Sequence, residues 1–190
     1  MRRNGVWLIV AGAAAAVILG IATTLMLAAT GAFHGTPRAG LVPPRARCAA
    51  PALKGQVVAV TLADMGPGMM GGPDRPDAMR LFVSPGTVAT GTVSLRVFNA
   101  GVRTHELLVL PLPGGQAVGQ RSTGSGGRID ESGSLAESSR SCGAGAGAGI
   151  TPGATSWTTL PLRPGRYELV CNLPGHYSAG MYAELDVTSR

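Results

Sequence analysis

Histidine, cysteine and lysine are all scarce in this 190-residue chain, at three, three and one. Lys54 is the single lysine, and the arginines are scattered rather than run together, so the formal charge of +6 does not describe a nucleic-acid patch. Arg2 and Arg3 lie at the extreme N-terminus; without them fourteen basic residues face ten acidic ones. Residues 5–36 contain no Asp, Glu, Lys or Arg. Beyond that N-terminal region no segment of any length has helical periodicity, which excludes the helical fold classes for the rest of the chain.

The uncharged stretch has a direct reading. From Val6 to Thr30 the residues are apolar or small, and at about 1.5 Å per residue such a run is long enough for a bilayer core of about 30 Å. Arg2 and Arg3 precede it, so the positive-inside bias keeps the N-terminus cytoplasmic. The expectation is a single-pass anchor over residues 1–30, with the C-terminal domain extracytoplasmic at the cell membrane. A cleaved signal peptide is the alternative, with small residues near Ala28, Thr30 and Ala32 for cleavage. Residues 31–54 are rich in Gly, Pro, Ala and Arg without periodicity and read as a linker. The domain then occupies residues 55–190.

Seven strand-like runs follow, over residues 56–63, 78–84, 91–99, 106–112, 156–162, 166–171 and 181–187, each β-branched or alternating and bounded by Gly, Pro or Asn. Val93, Leu95 and Val97 alternate with Thr92, Ser94 and Arg96, which gives one core face and one wet face. The pattern predicts an all-β sandwich. Tyr167, just after the Pro164–Gly165 turn, resembles the tyrosine corner of Greek-key sandwiches. Residues 113–155 form a Gly/Ser-rich insertion, in which Ser134 and Glu137 have the spacing of a capping box opening a short helical turn through Arg140.

The chemistry concentrates near the C-terminus, in ELVCNLPGHYSAGMYAELDV. Cys171, His176 and Met181 are spaced five apart in a loop between two strand-like runs. Soft sulfur ligands with imidazole select copper, and two His, one Cys and a weak axial Met describe a blue-copper electron-transfer centre. The second imidazole must come from His105, because His34 lies beside the apolar N-terminus. A Cys–His nucleophile pair would leave Met181 and His105 without a role. Zinc takes Cys and two His readily, but a thioether is a poor fourth ligand for it. One copper ion and no enzymatic activity are expected, since copper nitrite reductases and oxidases need further His-rich ligands.

These residues resemble the cupredoxin family, and within it the longer-loop, sulfocyanin- and rusticyanin-like members. Asn99, Gly101 and His105 match the turn that delivers the first histidine, and Cys171, His176 and Met181 match the late ligand loop. The resemblance covers roughly residues 55–190. It implies a Greek-key β-sandwich holding one type 1 copper and acting as a one-electron carrier, with a cytochrome or oxidase as redox partner, as a monomer. It also implies that His176 is the electron's exit, with Leu173, Pro174 and Tyr177 in the contact patch. Glu106 stands where many members carry an Asn that braces the copper loops. Copper delivery to an oxidase and a metal-free structural domain are the other readings.

If successive strands alternate in direction, four loops, including those bearing His105 and residues 172–181, converge on one pole. Residues 64–79 belong to that set and carry Met65, Met69, Met70 and Met79, which read as a docking rim, an auxiliary Cu(I) site or adaptable packing. With Cys171 assigned to copper, Cys48 and Cys142 remain as a pair, and an oxidising compartment favours their bridging. Bridged, they would pin the insertion as an ordered flap; free, they would leave it flexible.

Overall fold

A computed structural model describes residues 48–64 and 78–189. The expected anchor, most of the linker, and Met65, Met69 and Met70 lie outside the described residues, whereas Met79 is buried in the core and so belongs to neither a docking rim nor an exposed copper site. Among those described, no helix is long and apolar enough to cross a membrane.

Among the described residues nine strands form two mixed sheets: β1 (Gln56–Asp64), β2 (Met79–Ser84), β3 (Thr87–Ala89), β4 (Gly91–Asn99), β5 (Leu107–Pro111), β6 (Ala136–Ser138), β7 (Thr155–Leu162), β8 (Gly165–Val170) and β9 (Tyr182–Thr188). One sheet has the order β2-β1-β4-β7 and the other β3-β9-β8-β5-β6. The expected all-β sandwich is therefore present. Its core is made by alternation: Val58, Val60 and Leu62 of β1 and Val93, Leu95 and Val97 of β4 are at most 1% exposed, worth about 1.5–3 kcal/mol for each large side chain removed from water. Tyr167 closes its corner as expected, its phenol donating to the Arg163 carbonyl at 2.8 Å.

β5 does not alternate, and the reason is the insertion. Leu107 and Val109 face the sandwich core, while Leu108 and Leu110 join a second small cluster with Ile129, Val170 and Tyr177. Residues of the insertion thus cover the outer face of this sheet, burying β5 on both sides. The helical turn expected from Ser134 to Arg140 is not formed. Ala136–Ser138 instead pairs antiparallel with β5, and the Leu135 amide donates to the Val109 carbonyl at 2.8 Å. Pairing with an available strand edge outweighs a local capping signal, because it satisfies more of the segment's backbone groups. Cys48 and Cys142 are joined by a disulfide with their Cα atoms 5.3 Å apart.

Strand directions place the loops. β1 runs parallel to β4, and β8 runs antiparallel to both β5 and β9. The ends of β1, β4 and β8 therefore share one pole with the start of β5 and with Ile150, which bridges to His105.

Candidate metal centre

Cys171 directly follows the last residue of β8, and its amide donates to the Met181 carbonyl at 3.0 Å, closing the base of the loop. Inside that base the chain turns tightly. The His176 amide donates to Leu173, Ala179 to Gly175, Gly180 to Tyr177 and Met181 to His176, all within 3.1 Å. The His176 ring is thereby folded back over Cys171. Opposite, His105 exchanges two backbone hydrogen bonds with Ile150 at 3.1 and 2.6 Å. The buried Asn99 side chain holds the same loop, donating to the carbonyls of Arg103 and Ile150 at 2.7 Å each.

The result is a compact set of donor atoms. His105 Nδ1 and His176 Nδ1 are 3.2 Å apart, Cys171 Sγ is 3.3 Å from His176 Nδ1, and 4.0 Å separates it from His105 Nδ1. A point in their plane lies about 2.1 Å from all three, close to the roughly 2.0–2.3 Å at which imidazole and thiolate bind a first-row metal ion. The donors fit copper: one soft sulfur and two imidazoles, with no carboxylate oxygen among them. His105 and Cys171 are fully buried, and His176 is partly exposed. Met181 is fully buried one residue before β9 and belongs to the same core cluster as Cys171.

Electrostatics keep the metal-free cluster uncharged. Burial pushes the Cys171 thiol up to about 12, more than the hydrogen bonds it accepts from the Leu173 and Glu106 amides lower it. Burial, and then repulsion from His105 once it is protonated and from Arg103, push His176 down to about 4. His105 is also lowered by burial, against the opposing pull of Asp64. Both imidazoles are thus ready to donate lone pairs at neutral pH, and only the thiol has a proton to give up.

Glu106 braces the site through its backbone: its amide lies 3.4 Å from Cys171 Sγ. Burial raises its carboxyl, while Arg128, 3.9 Å away, pulls it down. The insertion supplies further bracing. Ile129 exchanges hydrogen bonds with the Asn172 side chain at 2.8 and 3.1 Å, Arg128 donates to the Asn172 carbonyl at 2.9 Å, and the Gly175 amide donates to Gly127 at 2.9 Å.

The same cover corrects the expected contact patch. Tyr177 is 3% exposed and faces inward, its hydroxyl bonded to buried Glu168 at 2.8 Å and accepting from the Arg121 amide at 3.0 Å. Burial is the main reason its phenol is raised to about 12. Pro174 remains exposed and Leu173 partly so.

One residue of the centre was not anticipated. Asp64, the last residue of β1, points its carboxylate at the far nitrogen of His105, with Oδ1 3.2 Å from Nε2. Its position at the convergent pole was legible from strand direction; the orientation of its side chain was not.

Sandwich, pole and ligand cluster agree with the resemblance to cupredoxins, and His105, Cys171 and His176 form a candidate copper-binding site. No family model matches the chain, and no curated protein does. Among solved structures it is similar to reduced auracyanin from the photosynthetic bacterium Roseiflexus castenholzii, at 19% identity over 70% of this chain and 99% of that one, TM-score 0.42. It is also similar to auracyanin A, a "blue" copper protein of the green thermophilic photosynthetic bacterium Chloroflexus aurantiacus, at 18% identity over 70% and 99%, TM-score 0.41. Reduced rusticyanin matches at 19% identity over 73% and 82%, TM-score 0.39.

Proposed function

We propose that this protein is a type 1 copper electron carrier, with Met181 as the weak axial ligand. The observation that carries the reading is the triangle of His105 Nδ1, His176 Nδ1 and Cys171 Sγ, buried except at His176. Copper held there supplies a one-electron couple. The chain's own contribution is rigidity: the loop closures at Cys171, His176 and Ile150 resist any change of ligand positions, so little rearrangement accompanies gain or loss of an electron. Burial keeps water away from the thiolate. The partly exposed His176, beside exposed Pro174, offers a short route to a partner, and a small contact suits a brief redox encounter.

The uncharged run from Val6 to Thr30, preceded by Arg2 and Arg3, supports tethering at the outer face of a membrane, with a cytochrome or oxidase as partner. Redox cycling tests the carrier reading. Copper-loaded protein, reduced and reoxidised repeatedly and then passed over a chelating column, should keep one copper per chain. Loss of the metal on each reduction would instead identify a copper donor.

A further inference from the structure

The loop from β4 to His105 is built around a single carboxylate. Asp64 Oδ1 accepts from the Val102 amide at 2.7 Å, the Arg103 amide also donates to the carboxylate, and His105 Nε2 lies 3.2 Å away. The side chains of Asp64 and His105 are 6% and 0% exposed. Gly101 is what lets the loop close this tightly: a Cβ there would lie 1.5 Å from Asp64 Oδ1. Burial pushes the Asp64 carboxyl up, but the hydrogen bonds from His105 and from the Val102 and Arg103 amides outweigh it and hold it below its ordinary value.

A carboxylate only accepts hydrogen bonds. The proton of neutral His105 therefore belongs on Nε2, because the other tautomer would set a bare nitrogen lone pair against an anion. We propose that Asp64 is a positioning residue for the metal centre: it holds His105 as the Nε2–H tautomer, leaves Nδ1 free to face Cys171 and His176, and by its charge favours the more oxidised state of the bound metal. The inference rests on the copper reading above, and it concerns an outer partner absent from the ligand motif. A hydrogen-bonded carboxylate raises the basicity of the imidazole it holds, and losing such a partner changes metal affinity by about 10–100-fold. Because the charge acts more strongly on Cu(II) than on Cu(I), removing it should lower the ratio of the two affinities about tenfold. For one electron, that is an upward shift of about 59 mV in reduction potential.

Two measurements on the full-length chain decide it. Long-range 15N–1H NMR of the metal-free wild type should show His105 protonated at Nε2 and bare at Nδ1; protonation at Nδ1, or averaging of the two, overturns the proposal whether or not copper binds. The Asp64→Asn variant keeps the size of the side chain and an oxygen for the Val102 amide while removing the charge. Loaded with Cu(II), it should keep the wild-type visible band with its potential raised by about tenfold in the affinity ratio. A potential within about twofold of wild type, in that ratio, overturns the tuning role. Should the variant fail to fold, the wild-type tautomer decides alone. A wild type that takes no copper removes the electron-carrier function but leaves the tautomer result standing.

Discussion

Replacing Asn172 with alanine would cut the insertion loose from the ligand loop at its most buried contact. Asn172 is 1% exposed and adjoins Cys171; its carboxamide accepts from the Ile129 amide at 2.8 Å and donates to the Ile129 carbonyl at 3.1 Å. Ile129 is itself 4% exposed, so the substitution leaves a backbone donor and acceptor with little access to water. An unpaired buried polar group costs about 1–3 kcal/mol, which puts the total for the two groups on the order of 2–6 kcal/mol. In a domain of this size each kcal/mol moves the melting midpoint by about 2–4 °C. Urea unfolding of metal-free protein, read by tryptophan fluorescence, should show the loss, and hydrogen exchange should show it centred on Ile129. A change below about 0.5 kcal/mol, with the Ile129 amide still protected, would refute the view that the insertion is stapled to the ligand loop by this side chain.

Three further outcomes are expected. Opening the Cys48–Cys142 link by paired serine substitutions releases a loop with a sequence separation of 94 and should cost about 2–4 kcal/mol in denaturant unfolding; equal midpoints would contradict it. Metal-free protein should weaken as pH falls from 6.5 toward about 4, since burial depresses His176 and the unfolded chain takes up that proton first. The His176 contribution is complete above 6.5, and His105 is shifted in the same direction; a urea midpoint that is flat or rises over that window would contradict the burial argument. Met181→Leu should keep copper bound while changing its potential, because an axial thioether tunes the site; loss of the metal on equilibrium dialysis would make Met181 a holding ligand instead.

How much of this was legible in the sequence depended on how local the determinant is. Alternation along β1 and β4 records one buried face each, so those strands and that face were readable directly, whereas Ser94, expected on the wet face of β4, is buried with its hydroxyl bonded to the Lys54 carbonyl and to Thr159. β5 was readable as a strand, but its unbroken apolar run carries no sign that the insertion covers its second face. That cover also explains why Tyr177, expected at the surface, lies inward on Glu168. Ser134 and Glu137 carried a genuine helix-start signal that an open edge of β5 overrode. In the metal centre, His105, Cys171 and His176 were found by chemistry and elimination, because few other residues could supply those donors. Asp64 was not found. Its role depends on the path of the chain at Gly101 and the direction of one side chain, neither of which has a periodicity or a motif.

If His105, Cys171 and His176 together hold one copper, visible absorption of Cu(II)-loaded wild type, beside Cys171→Ser, His105→Ala and His176→Ala, will report it. An intense thiolate-to-copper charge-transfer band at one copper per chain is predicted for the wild type, abolished in Cys171→Ser and disturbed in both histidine variants. A colourless Cu(II)-loaded wild type, or a band that survives the loss of Cys171, would contradict the assignment.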